Sequence, residues 1–185
     1  MAKKQTTPKK KPVFRITKQI RDAVVTELSG EDTIKVVDYL KGKENISEFV
    51  IAQDLEEEIN VIRNKLYRLL KPNLISFNRK KDKQKGWYIY YWTLKLHNVK
   101  FLHFDLKRKR LVALNERLKR EQSNHFFICT DRCIRLDFEQ AISFDYRCPE
   151  CGELLFQEDN TETIGKIQKE ITKLEKDVEA LKKTM

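Results

Sequence analysis

Four cysteines, the only ones in a chain of 185 residues, stand within 23 residues of one another. They form two pairs, Cys129-x3-Cys133 and Cys148-Pro149-Glu150-Cys151-Gly152, with 14 residues between the pairs. Two turns that each deliver two thiols suit a tetrahedral zinc, whose thiolates lie about 2.3 Å from the metal. Pro149 fixes one backbone angle of the second turn, and Gly152 accepts the positive φ that follows. The alternatives are two disulfides or four free thiols. Met1-Ala2-Lys3-Lys4-Gln5 has a basic start but no apolar segment behind it, so no secretory signal is expected. A reducing compartment disfavours disulfides, and free thiols rarely cluster this way. One structural zinc is therefore expected on Cys129, Cys133, Cys148 and Cys151. Four cysteines leave no open coordination position for catalysis. About 30 residues cannot build a stable core alone, and the metal compensates. Ile134, Leu136 and Phe138 alternate with polar residues as a strand does, and Phe126–Ile128 and Leu154–Phe156 flank the pairs. Strands around two metal-holding turns make a zinc ribbon. His125 is expected to be a bystander, since the ligand set is already complete.

The rest of the chain must supply its own core. Thr17 onward is helical, with Ile20, Val24 and Leu28 spaced by four and Ser29-Gly30 as a stop. Ile34, Val37 and Leu40 mark a second helix. Ser47 reads as an N-cap for Glu48–Leu55. Ile59, Ile62, Leu66 and Leu69 stripe a stronger helix that Lys71-Pro72-Asn73 closes. Leu74–Phe77 reads as a short strand and Asn78–Gly86 as a polar turn. Trp87–Leu94 is the strongest strand signal in the chain. Helices followed by a β-hairpin give the order of a winged helix-turn-helix domain. Residues 95–123 read as a long helix, with Lys107-Arg108-Lys109-Arg110 at a one-residue slip in its apolar spacing. Ile164, Ile167, Ile171, Leu174, Val178 and Leu181 form an a/d seam on a last helix. That seam needs a partner: this chain, a second copy or another protein.

The expected fold class is thus α+β, in five parts. These are a basic tail at 1–16, a winged helix domain at 17–94 and a basic helical connector at 95–125. A zinc ribbon at 126–158 and an amphipathic helix at 159–185 complete the chain.

Charge then separates the functional readings. The net charge of +10 suggests an anionic partner. By position it is +7 in residues 1–18, +1 in 19–94, +6 in 95–125, −5 in 126–160 and +1 in 161–185. The tail reads either as a solubilising segment or as an arm that releases counterions from nucleic acid. Three glutamates, Glu56 to Glu58, precede the helix at Ile59–Leu70, which offers Asn60, Arg63, Asn64, Lys65, Tyr67 and Arg68. Phosphates would repel that end, so major-groove reading is not expected. The wing is basic at Arg79, Lys80, Lys81, Lys83 and Lys85. The strand after it carries Trp87 and Tyr91 on one face and Tyr88, Tyr90 and Trp92 on the other. Exposed aromatics there would be either a shielded surface patch or a platform for protein or unstacked bases. Lys107, Arg108, Lys109 and Arg110 form a second basic patch. No apolar stretch spans a membrane. No nucleophilic triad, phosphate loop or apolar carboxylate pair argues for an enzyme.

The order winged helix, charged helical connector and four-cysteine ribbon resembles archaeal transcription factor E, the counterpart of the large subunit of eukaryotic TFIIE. Its most specific stretch is Cys-x3-Cys-Ile-Arg-Leu-x-Phe-Glu-x-Ala-x4-Tyr-x-Cys-Pro-x-Cys-Gly-x2-Leu, from Cys129 to Leu155. Gly86-Trp87-Tyr88-Ile89-Tyr90-Tyr91-Trp92 resembles that family's wing. The resemblance covers roughly residues 17–156. It implies a cytoplasmic, nucleoid-associated initiation factor that binds the RNA polymerase clamp and stalk. Such a factor helps open promoter DNA after TATA-binding protein and transcription factor B assemble. Arg79 to Lys85 and Trp87 to Trp92 would lie near the non-template strand, and the four cysteines match the zinc ligands. Two other readings compete: a dimeric sequence-specific regulator joined through Ile164–Leu181, and a structural adaptor with no nucleic-acid role.

Overall fold

The structure is a computed structural model that describes residues 16–81 and 86–184. The basic tail up to residue 15, and Lys83 and Lys85, lie outside the described residues. The chain divides into two compact units. One reaches Leu106 and takes in the residues from Leu181 on; the other spans Lys107–Ala180. Among the described residues, no helix is long and apolar enough to cross a membrane.

In the first unit, α1 (Lys18–Ser29), α2 (Ile34–Leu40), α3 (Glu48–Asp54) and α4 (Ile59–Leu70) pack on a sheet of β1 (Ile46–Ser47), β2 (Ile75–Lys81) and β3 (Tyr88–Leu94). The sheet is antiparallel in the order β1-β3-β2. The Thr17 hydroxyl caps α1 by accepting the Ile20 amide at 3.3 Å. Gly30 ends α1 at φ 93°. That positive φ favours glycine, and a Cβ there would also lie 2.9 Å from the Asp32 carboxylate and 3.0 Å from the Arg68 guanidinium. The apolar stripes read from spacing are the buried ones. Val24, Val37, Leu40, Ile62, Leu66 and Leu69 meet Leu74, Ile75 and Trp92 in one core.

Three local expectations need correcting. First, β2 does not stop at Phe77 but runs through Lys81, so Arg79, Lys80 and Lys81 lie on a strand rather than in a turn. They stand opposite Tyr90, Ile89 and Tyr88. Each cation's aliphatic stem finds an apolar cross-strand neighbour, which favours pairing over a loop. Second, β1 is a third strand, two residues long and without a spacing signal. Ser47 still caps α3, its hydroxyl accepting the Phe49 amide at 3.3 Å. Third, α5 (Asn98–Ser123) begins three residues later than the spacing suggests. The Lys95 amide donates to Leu74 O at 2.8 Å and the Asn98 side chain to Asn73 O at 2.7 Å, which holds this stretch at the sheet's end.

The second unit holds α5 from Lys107 onward, β4 (Phe126–Cys129), β5 (Arg135–Asp137), α6 (Phe138–Ser143), β6 (Leu155–Gln157) and α7 (Thr161–Thr184) up to Ala180. The small sheet is antiparallel in the order β5-β4-β6. Phe138 opens a helix rather than extending the strand. Asp137 and Gln140 form a reciprocal capping box, with amide-to-oxygen distances of 2.9 and 3.2 Å. Of the possible partners for the a/d seam of α7, the structure provides this chain. Ile167, Ile171 and Leu174 are buried, and Lys107–Asp177 and Arg110–Glu170 ion pairs tie α7 antiparallel to α5.

One buried carboxylate joins helices and small sheet within this unit. Glu121 of α5 is 4% exposed. It accepts two hydrogen bonds from the Arg135 guanidinium, at 3.1 and 2.8 Å, and one from the Asn160 amide at 3.0 Å. Arg135 also reaches Glu158 at 2.5 Å and stacks 3.7 Å from the Phe126 ring centre. The Arg135 bonds hold the Glu121 carboxyl below its ordinary range, against the opposing effect of burial. A depressed folded-state value stabilises the fold above the usual carboxylate range and loses that contribution as pH falls through it. Arg135→Met should therefore cost about 2–3 kcal/mol at pH 7, somewhat less than breaking a fully buried pair. Urea unfolding should show the gap between variant and wild type narrowing as pH drops below about 4.5, the ordinary value for this group.

Candidate metal centre and nucleic-acid interface

The four cysteines come together. Their sulfurs all lie within 4.8 Å of one another, and none is bridged to another. A zinc–sulfur distance of about 2.3 Å in a tetrahedron sets the sulfurs about 3.8 Å apart, so the cluster is of the size a single zinc needs. Cys129 ends β4, and its turn closes through the Arg132 amide to Cys129 O at 3.0 Å, with Arg132 at φ 52°. Cys148 and Cys151 share a turn closed by the Gly152 amide to Cys148 O at 2.8 Å, with Gly152 at φ 77°. The positive φ expected at Gly152 is thus present. The Cys133 amide donates to the Cys129 sulfur at 3.1 Å. Burial resists ionisation of the Cys129 thiol, but the amides of Cys133 and Ile134 outweigh it and draw the group down to about 7. Cys129 and Cys148 are buried in the small core with Leu136, Ala141 and Leu155, while Cys133 and Cys151 face outward. His125 lies apart from the cluster, 3.0 Å from the Gln157 amide.

The β2–β3 hairpin arranges four aromatics, Phe77, Tyr88, Tyr90 and Trp92, along one face. Phe77 stands opposite Trp92 and Arg79 opposite Tyr90. Trp92 is in the core, and Phe77 packs on it at 5.3 Å and on Tyr90 at 5.2 Å between ring centres. The Arg79 guanidinium lies 4.8 Å from the Tyr88 ring centre. A ladder therefore leaves the core at Trp92 and becomes exposed at Phe77 and Tyr88, which are 40% and 51% exposed. On the opposite face the Lys80 ammonium lies 5.3 Å from the Tyr91 ring. Trp87, just before β3, is 53% exposed.

Helix α4 is different. All three of its cations bind acids of their own unit. Arg63 donates twice to Glu48 of α3, at 3.0 and 2.7 Å. Lys65 pairs with Glu57 at 2.8 Å, and Arg68 pairs with Asp32. Within the acidic triplet, Glu57 holds Lys65, and Glu58 is the N-cap residue of α4 without a side-chain capping bond. What α4 turns outward is Asn60, Val61, Asn64 and Tyr67. The connector patch is divided in the same way. Lys107 and Arg110 are committed to Asp177 and Glu170, while Arg108 and Lys109 are exposed. Sequence spacing showed the cations but not their partners, because each acid comes from a different element.

The matched family spans the helices and hairpin just described. A family model described as the TFIIE alpha subunit matches residues 19–124, from α1 to the end of α5. The chain belongs to the TFIIE alpha subunit family. Curated relatives continue through the four cysteines. "Transcription factor E" of Metallosphaera sedula is 32% identical over 86% of this chain and 92% of the relative. Proteins of the same name from Methanococcus maripaludis and Cenarchaeum symbiosum are each 34% identical, over 82% and 86% of this chain and 88% and 93% of those relatives. The family's role is that of a transcription initiation factor. The outward face of α4 in this member is nearly neutral, which is unlike a helix that reads the major groove.

The ion pairs of α4 give a direct test. Glu48 is 2% exposed, so Arg63→Met should leave a buried carboxylate without its partner and cost about 2–4 kcal/mol in thermal or urea unfolding. The variant's DNA affinity should keep the salt dependence of the wild type, because Arg63 neutralises Glu48 rather than a phosphate.

Proposed function

We propose that the chain is a basal transcription initiation factor that binds RNA polymerase at its clamp and stalk and stabilises the opened promoter. On this reading the first unit is a winged helix, with β2–β3 as the wing, and the second carries a zinc ribbon. The factor works in the cytoplasm, at the nucleoid, beside TATA-binding protein and transcription factor B, and carries no enzymatic activity. One structural zinc on Cys129, Cys133, Cys148 and Cys151 would replace the core that so small a module lacks. When bound, the metal supplies only cross-linking of the two turns.

The observation that carries this reading is the contrast between α4 and the hairpin. The cations of α4 are spent inside the fold. The hairpin carries Arg79, Lys80 and Lys81 beside the exposed rings of Phe77, Tyr88 and Trp87. Cations beside aromatic faces suit unpaired bases, whose stacking is tolerant of sequence. A duplex reader would also need cations on α4 free to meet phosphates, and Arg63, Lys65 and Arg68 are paired with acids. Preference for the open complex over the closed one is then sufficient mechanism: a factor shifts that equilibrium by its difference in affinity for the two states. Burial of the α7 seam within this chain supports a monomeric factor over a dimeric regulator.

Two experiments test the proposal. Purified protein should contain about one zinc per chain by metal analysis. Reduced protein with intact cysteines and no zinc would reject the ribbon. Co-purification with RNA polymerase, followed by promoter-opening assays, tests the role. Arg79→Gln, Lys80→Gln and Lys81→Gln together should leave polymerase binding intact and reduce opening several-fold. An opening yield equal to wild type would favour the adaptor reading.

A further inference from the structure

Helix α7 carries a second, independent cationic surface. Lys166, Lys169, Lys173 and Lys176 are spaced three, four and three, and all four are exposed. That spacing sets them along one face, on the side away from the buried Ile167, Ile171 and Leu174. From the first to the last they cover about 15 Å of helix. Lysines three and four apart repel one another, and a helix normally relieves this with acids at the same offsets. Here Glu170 stands four residues after Lys166 and three before Lys173, and Asp177 stands four after Lys173. Both acids are turned to α5, where they hold Arg110 and Lys107. Glu162 pairs with Lys166 at 2.7 Å, and Glu179 lies three residues beyond Lys176. Lys169 has only lysines, Lys166 and Lys173, among its charged neighbours at these offsets. Pairing α7 with α5 thus removes counterions from the stripe.

We propose that the Lys166–Lys176 stripe of α7 binds the phosphate backbone of duplex DNA without regard to sequence. The occupant is a polyanion, because a rod of cations about 5 Å apart matches closely spaced negative charge and nothing apolar. It is duplex rather than single strand because α7 has no aromatic residue on which a base could stack. Lysine alone offers charge without the planar fork that reads bases. This surface is separate from the hairpin and does not depend on the polymerase reading.

The test uses the full chain and fluorescence anisotropy with a random-sequence duplex and a single strand of equal length, from about 50 to 200 mM salt. Lys169→Gln, Lys173→Gln and Lys176→Gln together should weaken duplex binding. The slope of log affinity against log salt should become shallower by about 2.7, the value for three phosphate contacts. Single-strand binding should weaken less than duplex binding. Glutamine keeps the helix propensity of lysine, so α7 persists. Arginine at the same three positions should restore duplex affinity. An unaltered duplex slope in the glutamine variant, an equal loss on single strand, or failure of arginine to rescue would overturn the proposal.

Discussion

The pairing of α4's cations with acids of the same unit is the interaction from which most of the structure's logic follows. Arg63, Lys65 and Arg68 bind Glu48, Glu57 and Asp32, which come from α3, the turn before α4 and the residues after α1. The pairs tie α4 to three neighbours, and the Arg68–Asp32 contact lies against Gly30. Glu48 is buried, so its ion pair is costly to break even though an apolar pair of the same shape could serve equally well. The same pairs neutralise the three cations of α4, so a helix held this way packs well and offers no unpaired cation to a phosphate.

The second unit applies the same principle with different chemistry. Four sulfurs within 4.8 Å take the place of a hydrophobic core, and only a few apolar residues surround them. Glu121, held by Arg135 and Asn160, links this small sheet to α5 and to the segment that leads into α7. Lys107 and Arg110 then set the position of α7 on α5. In both units, acids and cations that look like surface charge in the sequence are structural once the chain folds. Among the exposed cations are those of the hairpin, Arg108 and Lys109, and the lysines on the far face of α7.

Much of this was legible in the sequence because it rests on short-range periodicity. The stripes of α2, α4 and α7 are buried over most of their length as their spacing requires, that of α1 is buried at Val24 between the half-buried Ile20 and Leu28, and the two cysteine pairs meet as their turns require. The exposure of Trp87 and the burial of Trp92 follow from strand alternation with one face on a core, whereas Tyr88 shares the face of Trp92 and is exposed because the hairpin runs on past the core. The failures share a cause. β2 extends through Lys81 because of neighbours on β3, and β1 exists only by pairing with β3. Neither partner is visible within a local window. Helix α6 is a different case: Asp137 and Gln140 form a capping box that could have been read directly, but the alternation of Ile134, Leu136 and Phe138 suggested a strand. The ion-pair partners of α4 and α5 were unreadable because each acid lies on a separate element.

The central claim is that α4 does not read sequence and that the protein is placed on DNA by other contacts. Selection of bound duplexes from a random pool by the purified full chain tests this most directly. The account predicts recovery of DNA with no enriched motif, and with affinity that falls steeply as salt rises. A reproducible motif of several base pairs, lost when Asn60, Asn64 or Tyr67 is changed to alanine, would contradict it.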